Sequence, residues 1–174
     1  SSFIAGNWKS NKTLAETKNW LEQFQTATTK LTQWGTVTIV ICAPFTALGM
    51  LQMQIKNLKI PMSLGAQDIS SFAEGAFTGA VNGRQIKELA EWVIVGHSER
   101  RKNFGETEDM LKQKVAQAKN VGLKIIYCVS DDATTIPEGI DVVAYEPVWA
   151  IGMGKSDTPE NANSVAQKVK EKWH

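Results

Sequence analysis

Three residues stand where acid–base chemistry could be done, each directly behind a short apolar run. Glu146 follows Val142–Tyr145 and precedes Pro147. Proline restricts the residue before it to extended geometry, which fixes where that carboxylate points. His97 follows Trp92–Val95 on a sharp strand-to-helix turn, with Ser98 placed as the helix N-cap. Backbone N–H groups at a helix start disfavour added positive charge and keep an imidazole neutral. A neutral imidazole can donate a hydrogen bond to a developing oxyanion. Lys9 ends the segment GNWK, Gly6 to Lys9, just after the run Phe3–Ala5. A lysine there can point a cation into a shared mouth, or it can be a solvated surface residue. His97 can equally be a capping residue, and Glu99, Arg100 and Arg101 a salt-bridged surface. The shared position matters most, because parallel α/β proteins build their sites at the C-terminal ends of strands.

Two longer segments could serve such a site. AYEPVWAIGMGKSDTP, Ala144 to Pro159, is apolar and aromatic and carries Gly152 and Gly154. An apolar connection that stays near the surface is odd for a passive loop and suits a lid that expels water, although packing on a helix would also explain it. AQDISSFAEGAFTGAVNG, Ala66 to Gly83, carries Phe72 and Phe77 and glycines at 75, 79 and 83. Exposed phenylalanines on a loop of that length point to a partner surface.

The elements that position these residues alternate. Strand-like runs cover Phe3–Ala5, Val37–Cys42, Met62–Ala66, Trp92–Val95, Lys124–Val129 and Val142–Tyr145. They are short and rich in Val and Ile, as strands buried on both faces are. Helical patterns cover Leu14–Thr28, Ala47–Ile55, Gly83–Ala90, Thr107–Asn120 and Asn161–Trp173. Strand and helix in alternation predict an α/β fold with right-handed crossovers. The fifth crossover is short: SDDATTIPEGID carries Pro137 and Gly139 too centrally for a full helix, so a loop or one turn is expected. The 174 residues form a single domain, 1–174, on this reading.

Composition excludes more than it selects. The chain has 43% hydrophobic and 21% charged residues and a net charge of +1. No broad field favours nucleic acid or an anionic membrane, so an anionic substrate needs a local positive site. Cys42 and Cys128 each lie in an apolar run and read as reduced, buried thiols without metal-site spacing. No signal-like leader or membrane-length apolar run is visible, and a cytoplasmic location is expected.

GNWK, AQ followed by GAFTG, VGHSERR-x-x-FGE and YEPVWAIG-x-GK, in this order and each on its own unit, resemble the motif set of the triosephosphate isomerases. The resemblance covers Phe3 to about Ala166. It implies a parallel (β/α) barrel of that type, with about six of eight units present and the crossover helix after the fifth strand shortened or absent. It implies interconversion of dihydroxyacetone phosphate and glyceraldehyde 3-phosphate, with no cofactor or metal, in glycolysis and gluconeogenesis, by a homodimer or higher homo-oligomer.

Roles follow position by position from the same resemblance. Glu146 matches the base, His97 the electrophile, and Lys9 the cation beside substrate oxygen and phosphate, with Asn7 and Gly152 binding substrate. Ser98, Glu99, Arg100 and Glu106 match supporting positions. Pro147, Val148, Trp149, Ala150, Ile151, Gly152, Met153, Gly154 and Lys155 match a closing lid. Phe77, Thr78 and Gly79 match the tip of an interface loop. A carboxylate in a dry site is expected to have a modestly raised pKa, which strengthens it as a base.

Two departures carry consequences. Without the crossover helix, the fifth strand must be exposed or otherwise covered. The family's last two units supply a serine loop and a pair of glycines whose N–H groups hold the substrate phosphate, and no such segments occur here. The expectation is therefore a chain that needs those units for activity, with a separate C-terminal segment as one source of them; the alternative is an inactive barrel fragment that persists as an oligomer.

Overall fold

The computed structural model describes residues 2–29, 37–147 and 157–173. The elements are β1 (Ser2–Asn7), α1 (Leu14–Thr28), β2 (Val37–Ala43), α2 (Phe45–Leu58), β3 (Ser63–Ala66), α3 (Gly83–Lys87), β4 (Trp92–Val95), α4 (Ser98–Asn103), α5 (Glu108–Asn120), β5 (Lys124–Val129), β6 (Val142–Tyr145) and α6 (Pro159–Trp173). The strands pair in parallel in chain order and form a curled half-barrel.

Strand alternation sorts side chains to two faces. Val40, Cys42, Trp92, Ile94, Ile126 and Cys128 pack together on one. Ile41, Ala43, Val93, Val95, Ile125 and Tyr127 pack on the other with the buried faces of the helices. That double burial is why the central strands are unbroken apolar runs. The helices contribute in their own period. α2 buries Ala47, Leu48, Leu51 and Ile55, and α5 buries Leu111, Val115 and Ala118. Each fully buried leucine contributes about 1.5–3 kcal/mol relative to exposure. α1 begins at a reciprocal cap, in which the Thr13 hydroxyl accepts from the Glu16 N–H while the Glu16 carboxylate accepts from the Thr13 N–H.

β1 runs to Asn7, so GNWK begins inside the strand and not after it. α3 stops at Lys87 rather than Ala90. The helix expected to start at the strand-to-helix turn is the short α4, which stands apart from the five longer helical patterns.

The fifth crossover, 130–141, contains no helix. The Asp131 carboxylate accepts the N–H groups of Ala133 and Thr134 and turns the chain locally. Cover for β5 comes from elsewhere. Ile125 to Val129 are all buried, with Ile136, Ile140 and the α6 residue Val169 in the same core. Lys172 donates to the Asp132 carbonyl, and Lys168 lies 3.6 Å from the Asp132 carboxylate. α6 thus fastens the shortened connection in place. The edges differ from the centre: β1 and β6 are only partly covered, and Ile4 is 58% exposed.

Candidate active site

Every candidate side chain hangs from the C-terminal end of a strand. The β1 and β2 tips are tied by Trp8 N–H donating to the Cys42 carbonyl at 3.0 Å, and Lys9 follows. Its φ of 52° is left-handed, a conformation that non-glycine residues rarely adopt. The Lys9 ammonium donates to Glu99 at 2.7 Å.

Gly96 follows the end of β4, and its φ of 77° makes the sharp turn that presents His97. Arg101 braces the turn from behind, donating to the Gly96 carbonyl at 2.8 Å and reaching the Tyr127 hydroxyl and Cys128 carbonyl. This arginine is part of the scaffold, not merely a surface charge. The helix cap differs from expectation. His97, not Ser98, is the N-cap: its Nδ1 accepts the Glu99 N–H at 3.2 Å, and Ser98 is already helical. An accepting Nδ1 carries no proton, so the neutral ring bears its hydrogen on Nε2.

β6 delivers the carboxylate. Glu146 N–H donates to the Val129 carbonyl at 2.8 Å, extending the β5–β6 ladder by one residue up to Pro147. Glu146 Oε1 lies 2.7 Å from His97 Nε2, and Oε2 accepts the Ser98 N–H at 3.0 Å. Burial pushes the Glu146 carboxyl up, but the hydrogen bonds from His97 and Ser98 outweigh it and hold the group below its usual value. The expected rise is therefore reversed: two donors aimed at the carboxylate stabilise its charged form.

Asn7, Lys9, His97 and Glu146 line one cavity of about 390 Å³, floored by Cys42, Ile94, Ile126 and Cys128. Burial pushes the Cys42 thiol up to about 12. Burial first, then the Glu146 carboxylate, pushes Cys128 well above its usual value. At pH 8 a thiol at 12 has roughly a thousandfold less thiolate than a free one. Both cysteines should therefore resist iodoacetamide in the native chain and label promptly in denaturant; fast native labelling of either would contradict the burial described.

The supporting residues are brought together in part. Arg100 pairs with Glu106 and, at 2.9 Å, with Asp68, and Lys114 reaches both carboxylates. Lys114 is only 4% exposed, and its ammonium is paired with both carboxylates. Asp68 and Lys114 were not singled out from sequence. The available signal was Lys114 itself, a lysine on the stripe of Leu111, Val115 and Ala118. Ser98 contributes its backbone, while its buried hydroxyl has no hydrogen-bond partner among the described residues. Phe77 is exposed and stacks on Phe72 with ring centres 4.2 Å apart, and Thr78 and Gly79 are exposed beside it. Of the suggested lid, Pro147 is described; Val148 to Lys155, including the substrate-binding candidate Gly152, lie outside the described residues. No described helix is long and apolar enough to cross a membrane.

A curled sheet of parallel strands, wrapped by helices and carrying ionisable side chains on its C-terminal rim, defines a (β/α)-barrel of the kind that houses enzymes. The chain belongs to the triosephosphate isomerase family, which it matches over residues 2–174. It is 37% identical to the triosephosphate isomerase of Dehalococcoides mccartyi, over 94% of this chain and 70% of the relative. It is 35% identical to that of Carboxydothermus hydrogenoformans and 37% to that of Dictyoglomus thermophilum, each over 97% of this chain and 75% of the relative. The last two alignments run over 193 positions, more than the 174 residues of the chain, so some positions of the relatives have no counterpart here.

Proposed function

We propose that these residues perform the family's reaction, interconverting dihydroxyacetone phosphate and glyceraldehyde 3-phosphate, within one barrel domain that the 174 residues leave incomplete. The observation that carries the reading is the 2.7 Å approach of Glu146 Oε1 to His97 Nε2, with Asn7 and Lys9 on the same cavity. Glu146 takes the proton from the carbon beside the carbonyl. The C–H electrons become the enediolate double bond, and the carbonyl pair moves onto oxygen. His97 Nε2–H and the Lys9 ammonium stabilise that oxygen. The hydroxyl proton of the first carbon then passes to the former carbonyl oxygen, and Glu146 returns its proton to the neighbouring carbon. The enediolate double-bond pair forms the new C–H bond while a lone pair of the first carbon's oxygen closes the new C=O.

Substrate must first displace the hydrogen bonds that His97 and Ser98 make to Glu146. Losing them also removes what holds the carboxyl low, so binding itself would make Glu146 the stronger base. The segment Pro147 to Lys155, with Gly152 contacting substrate, would exclude water from the enediolate. Deuterium uptake from D2O into triose phosphate, with the C-terminal part of a relative supplied in trans, tests the reading. Uptake no faster than the spontaneous rate would overturn it.

The second reading is the inactive fragment that oligomerises. The β1 edge, which has no outer strand among the described residues, favours it, with Ile4 58% exposed. Under either reading we place a subunit interface on the loop 67–82, where the stacked Phe72 and Phe77 stand clear of the body. Thr78→Arg should shift the sedimentation coefficient toward monomer, and an unchanged oligomeric state would remove that interface.

A further inference from the structure

Gln67, the first residue after β3, stands at the centre of the hydrogen bonds that shape the Lys9 backbone. Its Nε2 lies 2.9 Å from the Lys9 carbonyl, 3.1 Å from the Cys42 carbonyl and 3.3 Å from Asn7 Oδ1. Two amide hydrogens are thus shared among three oxygens, and the tips of β1, β2 and β3 meet on one side chain. Asn7 Oδ1 also accepts the Lys9 N–H at 2.9 Å. Both backbone polar groups of Lys9 are therefore held by side chains, one by Asn7 and one by Gln67.

Such fixing has a physical purpose. A left-handed non-glycine residue is strained and persists only where its surroundings over-determine it. Lys9 has φ 52°. Relaxation to negative φ would redirect its side chain, whose ammonium now reaches Glu99 and the cavity of His97 and Glu146. We propose that Gln67 is a positioning residue: its amide locks Lys9 in the left-handed conformation and so aims the cation at the substrate oxygen. The aiming part of this inference rests on the function proposed above; the backbone part does not.

Two variants separate the possibilities. Gln67→Met keeps the length of the side chain and removes its donors. Gln67→Glu keeps the shape but turns a carboxylate toward three oxygens, and regains a donor only when protonated. The first readout is the amide-to-Hα coupling and Cα shift of Lys9 by NMR, without ligand. In both variants at neutral pH the signature of positive φ should disappear, while the β2 to β4 amides keep their shifts. Acidification should restore it in Gln67→Glu, and that comparison within one folded sample decides the matter if Gln67→Met does not fold. A Lys9 signature that persists in Gln67→Met, or one indifferent to pH in Gln67→Glu, would overturn the proposal.

The second readout is affinity for 2-phosphoglycolate, whose planar carboxylate carries charge where an enediolate would. Gln67→Met should weaken it about tenfold. In a Lys9→Met background the same change should have no further effect. Equal losses in both backgrounds would show that Gln67 does not act through Lys9. These affinities are measured with the C-terminal part of a relative supplied; if no form then binds this ligand, the proposed function has failed, and the ligand-free Lys9 signature still decides the role of Gln67.

Discussion

Replacing Glu146 by glutamine is expected to abolish isomerisation and leave the fold standing. A positioned base contributes roughly 10²–10⁴-fold, so turnover should fall by about a thousandfold in any active form of the protein. Stability should fall less. The carboxylate accepts from both His97 Nε2 and the Ser98 N–H, and Nδ1 is already committed to Glu99. A glutamine has one oxygen for two donors, so one contact becomes donor against donor, at about 1–3 kcal/mol. The pH dependence has a definite sign. The Glu146 carboxyl is held below its usual value in the folded chain. Its stabilisation is therefore full above the unfolded value and is lost as pH falls through the folded one. Denaturant titrations should show an acid-side slope that is weaker in Glu146→Gln. A loss in turnover below tenfold would remove Glu146 as the base.

Much of this arrangement is legible in the chain, for reasons that can be named. β4, β5 and β6 keep their sequence boundaries because each is a short apolar run closed by glycine, proline or a polar turn. α1 does so because Thr13 and Glu16 mark its start. The fifth crossover is a loop because Pro137 and Gly139 interrupt it. The missed features arise from contacts between distant segments. Gln67 reads as the start of a loop, and only the parallel pairing of three strand tips brings its amide to Lys9. The His97 cap depends on how tightly the chain turns at Gly96. The Glu146 carboxyl lies below its usual value although it is buried, because His97 first and then the Ser98 N–H, both from another strand's turn, donate to it. Burial was inferable from sequence; hydrogen-bond partners drawn from a neighbouring unit were not.

The 174-residue chain on its own should turn over triose phosphate at least about a hundredfold more slowly than the same chain supplied with the C-terminal units of a relative. The chain spans 70 to 75% of the length of the relatives it matches. The family resemblance places in those units the backbone donors that hold the phosphate. A phosphate monoester carries about −1.5 to −2 charges at neutral pH. Among the described rim residues, Lys9 is the cation that lines the cavity with His97 and Glu146, and Glu99 already pairs with it. Without further donors, the binding energy of the phosphate cannot fix the reacting carbon against Glu146, so turnover suffers as well as affinity. The fold is prepared for such units. β1 and β6 have no outer strand partner among the described residues, and both are less covered than the strands between them. Edge strands are where a further strand of a sheet can be added. The measurement is an isomerisation assay on the mass-verified chain, with and without the added polypeptide, beside hydrogen exchange of the β1 and β6 amides. Activity should rise and both edges should gain protection together. Full activity from the chain alone would mean that the phosphate is held by residues of these six units.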